Sequence, residues 1–208
     1  MGKDFEFRQL LRAYRAGLIT EETFDAEMAA MDNQNGYEPQ RGFKAFGKTY
    51  RSERDAIVSF LDKVQAAESN AGLAFADWAK VCTTDCIRSG LKMIAEREAY
   101  HGRVFNERIR ELGAEARAMV SEQSREFAAC AADAAMSDCD KLLRVASSIS
   151  NPEEVIKPIL DFADSLTEDQ ETKEALRLFA EDELSSTRWL LYACTALNAP
   201  AQQPGTRE

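Results

Sequence analysis

Glu98 and His101 stand three residues apart in the stretch LKMIAEREAYH, residues 91 to 101, and His101 is the only histidine in the chain. On an α-helix that spacing puts a carboxylate and an imidazole on one face. The apolar residues at 87, 91, 94 and 105 follow the same stripe, so both polar groups fall in a core seam. Glu68 falls in a second seam, 61-64-68-71-75, and Glu183 with Ser186 in a third, 176-179-183-186-190. Buried charge is costly unless it is paired or coordinated. Three carboxylates cannot neutralise one another, so a bound cation is their natural partner.

The numbering repeats this pattern. Residues 176 to 186, LRLFAEDELSS, echo residues 91 to 101 at a shift of 85, with Ser186 where His101 stood. Glu68 and Glu98 are 30 apart, and the same shift lands on Glu153 and Glu183, again 30 apart. The chain therefore reads as two related helical hairpins, each offering one Glu from its first helix and Glu-x-x-(His) from its second. Glu153 also has a second reading. In SNPEE, Asn151 is a suitable N-cap and Pro152 a suitable first helical residue, so Glu153 and Glu154 could simply serve a helix start. Glu96 and Glu181 read as solvated flank. If the missing imidazole limits the site, Ser186→His is expected to raise metal occupancy.

The elements needed to hold these residues are helices. Apolar positions 57, 61, 64, 71, 75 and 78 give a first bundle helix, and 87 to 112 a second that Gly113 ends. Residues 142 to 166 give a third, interrupted near Pro152 and Pro158, and residues 171 to 197 a fourth. The links near Thr83–Asp85 and Thr167–Asp169 are short, which implies antiparallel hairpins. Residues 114 to 136 form a long crossover with a short outer helix. No period-two stretch suggests a sheet, so the expected class is all-α. The expected organisation is an N-terminal helical hairpin at 1–32, a linker at 33–51, a four-helix bundle at 52–198 and a disordered tail at 199–208. In the N-terminal unit Thr20 and Thr23 open the second helix. Its AGLITEETF turn resembles SHOCT-type modules.

With its Glu-x-x-His motif, its facing Glu68 and its two hairpins joined by a crossover, the sequence resembles the ferritin-like superfamily, in particular rubrerythrin-like di-iron carboxylate proteins, over residues 53 to 198. The resemblance implies a four-helix bundle with one or two iron or manganese ions per chain. By position, Glu68, Glu98, His101, Glu153 and Glu183 match metal ligands, and Ser186 departs from the pattern. The implied activity is oxidoreductase chemistry on oxygen or peroxide. The alternative is a non-catalytic scaffold that kept the bundle and lost the centre.

Composition excludes other classes. A net charge of −10, with no clustered Lys or Arg, argues against nucleic acid as partner. No apolar run is long enough to span a membrane, and MGKDFEFRQLL lacks a signal core, so a cytoplasmic location is expected. The five cysteines have no metal or redox spacing and read as reduced thiols. Metal ions are the expected partners, and a homo-oligomer is compatible with the pattern. GFKAFGKT, residues 42 to 49, satisfies the P-loop pattern but has no apolar strand before it, so nucleotide binding is not expected.

Overall fold

The computed structural model describes residues 19, 20, 23–25, 27 and 42–198. The chain divides into two units, Met1–Gly42 and Phe43–Glu208. In the first, the Thr20 hydroxyl accepts a hydrogen bond from the Thr23 backbone N–H at 3.2 Å, the helix start expected there. The remainder of the expected N-terminal hairpin, the first part of the linker and the 199–208 tail lie outside the described residues.

The second unit is mostly helical, which agrees with the all-α expectation. It opens with one element the periodicity did not suggest. Strands β1 (Phe43–Ala45) and β2 (Lys48–Tyr50) pair antiparallel within the segment expected to be a linker. The turn between them has positive φ at both Phe46 (50°) and Gly47 (70°). Positive φ at both central residues is the signature of the tight hairpin turn that matches strand twist. Phe46 stacks on Phe60 at 5.1 Å and meets Phe162 at 4.9 Å, which anchors the hairpin. The P-loop-like residues are therefore strand and turn, with no helix opening at their Gly-Lys-Thr.

Six helices follow among the described residues: α1 (Glu53–Val81), α2 (Asp85–Glu111), α3 (Glu122–Ala132), α4 (Asp138–Ala146), α5 (Pro152–Ser165) and α6 (Gln170–Asn198). α1 packs along α2, and α6 packs on both α4 and α5 and also meets α2. The expected third helix is thus two pieces. It breaks between Ala146 and Pro152, while Pro158 is accommodated inside α5. The crossover helix α3 is no mere outer strut. It packs on α1, and its Phe127 meets Phe75 edge-on at 5.2 Å.

The two hairpins hold each other by reciprocal caps. The buried Glu53 carboxylate, in the first turn of α1, accepts from the backbone N–H groups of Thr167, Glu168 and Asp169 at 2.8 to 2.9 Å, in the α5–α6 link. Asp138, in the first turn of α4, accepts from those of Thr83 and Thr84 at 3.0 and 2.9 Å, in the α1–α2 link. These positions correspond under the same shift of 85, as do the N-caps Ser52 and Ser137 and the residues they cap, Asp55 and Asp140. The sequence echo is thus a structural one: each half's first helix caps the other half's loop.

The core falls into two apolar clusters. One gathers Phe75, Trp78, Leu91, Ile94, Leu142 and Leu190. The other gathers Ile57, Leu61, Phe105, Ile109, Leu176 and Phe179. On α1, α2 and α6 alike, one polar level separates them.

Candidate metal centre

That polar level is where the expected ligands meet. Each rides the apolar stripe of its helix: Leu61, Glu68 and Phe75 on α1; Ile94, Glu98, His101 and Phe105 on α2; Phe179, Glu183, Ser186 and Leu190 on α6. The stripe that buries the hydrophobic residues therefore buries the carboxylates too. Glu68, Glu98, His101 and Glu183 each place one ligand atom within 4.8 Å of all the others. Close helix approach makes this convergence possible. A Cβ on Gly102 would stand 3.0 Å from the Ser69 backbone nitrogen, and one on Gly72 2.9 Å from that of Ala99. Glycine at these two positions lets α1 and α2 touch beside the ligands.

His101 is held in one orientation. Its ring packs edge-on against Phe179 at 4.9 Å, and Nε2 lies 3.1 Å from Asp182 Oδ2. A carboxylate only accepts, so the proton belongs on Nε2 and the lone pair on Nδ1. Nδ1 faces Glu68 Oε2 at 3.4 Å and Glu183 Oε1 at 3.8 Å. None of these three buried atoms has a hydrogen-bond partner. Buried polar atoms are almost always satisfied, so three orphans aimed at one point call for a shared ligand. A divalent cation fits the donor set of three carboxylates and one imidazole.

The carboxyls are strongly perturbed. Burial pushes Glu68 up to about 7, with Glu183 adding to the rise and a hydrogen bond from Glu98 opposing it. Burial, then the bond to Glu68 and its charge, raise Glu98 to about 9. Burial and the Glu98 charge raise Glu183 to about 8. Without a cation the cluster keeps protons; a bound cation would displace them. Beside Glu68, Glu98 and Glu183 lies a cavity of about 270 Å³, walled by Ala71, Ile94, Phe127 and Leu190.

Glu153 is not brought to this cluster. The break before α5 leaves it in the helix's first turn, where Asn151 accepts from its backbone N–H and its exposed carboxylate pairs with Arg188 at 2.5 Å. The helix-start reading describes it; the ligand reading does not. Ser186 is buried, and its hydroxyl accepts from Arg97 Nη1 at 3.0 Å. Arg97 and Asp182 are functional neighbours that the sequence reading missed. Each immediately precedes a seam glutamate, and they correspond under the shift of 85, which is the signal that could have found them.

Among the described residues no helix is long and apolar enough to cross a membrane. No protein-family model, curated protein or solved structure matches the chain.

Proposed function

We propose that this protein binds iron or manganese through Glu68, Glu98, His101 and Glu183, within a ferritin-like arrangement of two helical hairpins, and uses the metal in redox chemistry on oxygen or peroxide. The observation that carries the metal reading is the convergence of three buried, unpartnered ligand atoms on α1, α2 and α6. Two hairpins, reciprocally capped and joined through α3, support the ferritin-like reading. The small cavity at the carboxylates supports a small oxidant as the substrate class.

When bound, iron or manganese would supply one-electron redox capacity at this level of the bundle. The chain's own groups do the rest. Glu68, Glu98 and Glu183 would carry the compensating charge. His101 would offer Nδ1 while Asp182 holds its Nε2 proton, an arrangement that fixes the ring's orientation. The two apolar clusters bound the ligands on either side along the helices.

A scaffold that has lost its centre is the second reading, favoured by the arginine partners that Ser186 and Glu153 have found. Metal analysis separates the two. Protein from iron- or manganese-supplemented cells is expected to carry metal, and His101→Ala to bind it at least about tenfold more weakly. Peroxide is expected to oxidise ferrous iron faster on the wild-type chain than free in buffer, with no acceleration by the variant. A chain that stays metal-free under both supplements, and melts identically with and without chelator, supports the scaffold.

A further inference from the structure

The shift of 85 relates residues of the site as well as the frame around it. Arg97, Glu98 and His101 correspond to Asp182, Glu183 and Ser186. The contacts between these two sets follow the same exchange. His101 of the first half touches Asp182 of the second, Nε2 to Oδ2 at 3.1 Å. Ser186, the counterpart of His101, touches Arg97, the counterpart of Asp182, at 3.0 Å. One pair is imidazole with carboxylate, the other hydroxyl with guanidinium. Arg97 Nη1 also donates to the Asp182 carbonyl at 3.1 Å, and its Nε lies 3.7 Å from Asp182 Oδ1.

Resting on the metal reading above, we propose that Arg97 is the resident cation of a converted second half-site, so that the centre takes one divalent ion and not two. Three facts on the second half agree. The imidazole is replaced by Ser186, the carboxylate equivalent to Glu68 is turned outward onto Arg188, and the carboxylate equivalent to Asp182 is an arginine. A second divalent ion would have to approach the fixed guanidinium of Arg97, which lies against Ser186 and Asp182. Arg97 is a positioning residue here, since it touches Ser186 and Asp182 and not the ligand atom of His101.

The test is anaerobic titration of the chelator-treated full chain with Mn(II), counted by the spin resonance signal of the free ion and by elemental analysis of the desalted protein. The wild type is expected to take one equivalent. Ser186→His alone is expected to take one as well, because Arg97 still holds the position; the simple restoration suggested by the sequence is insufficient. Arg97→Asp combined with Ser186→His recreates the pair that His101 makes with Asp182, and is expected to take a second equivalent at least tenfold weaker than the first. A second equivalent on the wild type or on Ser186→His overturns the inference while leaving the metal reading intact. A double variant that folds, by circular dichroism, and still stops at one equivalent also overturns it. If the double variant does not fold, the wild-type and single-variant counts decide the matter alone. A wild type that binds no Mn(II) removes the metal reading itself.

Discussion

In chelator, the protein is expected to lose stability steadily as the pH rises from 5.5 to 9, and a divalent ion to restore it. The folded-state pKa values of Glu68, Glu98 and Glu183 lie above the ordinary 4.5, at about 7, 9 and 8. A carboxyl raised in the folded state contributes stability that is complete below its unfolded pKa and is lost as pH passes the folded value. The loss therefore falls between about pH 5 and 9. Carboxylates with lowered values, such as Glu53, Asp138 and Asp169, act only at lower pH and do not blur this window. A tenfold difference in proton affinity between folded and unfolded chain is worth about 1.4 kcal/mol, so each such difference lost across the range should lower the metal-free melting temperature by roughly 3 to 6 °C. With Mn(II) present the ionised carboxylates gain a partner, and the difference between loaded and metal-free melts should widen with pH. Scanning calorimetry at several pH values, with and without chelator, reads this directly. A metal-free melting temperature that is flat from pH 5.5 to 9 would mean that the cluster does not hold its protons as described.

Asp138→Ala is expected to be the most destabilising single substitution outside the site. Its Oδ1 accepts from Trp78 Nε1 at 2.9 Å, and its Oδ2 from the backbone N–H groups of Thr83 and Thr84 and the Thr83 hydroxyl. Burial alone would raise this carboxyl, yet those donors hold it down to about 2. Removing it strands a fully buried indole N–H and uncaps the α1–α2 link. Stranded buried donors cost about 1 to 3 kcal/mol each, so a loss of about 4 kcal/mol and roughly 10 °C is expected. The neighbouring Lys141 has its own anchor, donating to the Ala131 carbonyl at 2.8 Å beside the Trp78 ring, and does not compensate. Glu153→Ala provides the contrast. Its exposed, solvent-screened pair with Arg188 should contribute little to stability, and metal content should not change. Urea melts of both variants make the comparison. An Asp138 variant as stable as wild type, or a Glu153 variant that loses metal, would contradict the placement of these residues.

The stripes on α1, α2 and α6 were legible in the sequence because long helices at seven-residue spacing leave little freedom. Any polar residue on such a stripe is committed to the interior, which is why Glu68, Glu98, His101 and Glu183 could be named together. Glu153 fell outside the cluster for a local reason. The shift of 85 reached it, but the five residues between Ala146 and Pro152 interrupt the helix that would have carried it inward. Arg97 and Asp182 sit one position off the seam, where charged residues ordinarily face solvent, so periodicity alone gave no reason to single them out. The β-hairpin escaped notice because three-residue strands carry almost no period, and its turn uses Phe46 before Gly47 where Asn or Asp is the familiar partner. The reciprocal caps Glu53 and Asp138 were present in the numbering, yet acidic residues are common at helix starts and carry little information until their distant partners are seen.

The central claim is that the four side chains hold a divalent metal, and anomalous diffraction from crystals grown with Mn(II) tests it most directly. The account predicts an anomalous peak between α1, α2 and α6, with His101 Nδ1 and oxygens of Glu68, Glu98 and Glu183 at roughly 2.0 to 2.5 Å from it. Asp182 should remain on His101 Nε2. A map with no peak at that level under millimolar Mn(II), and with the three carboxyls hydrogen-bonded to one another, would contradict it.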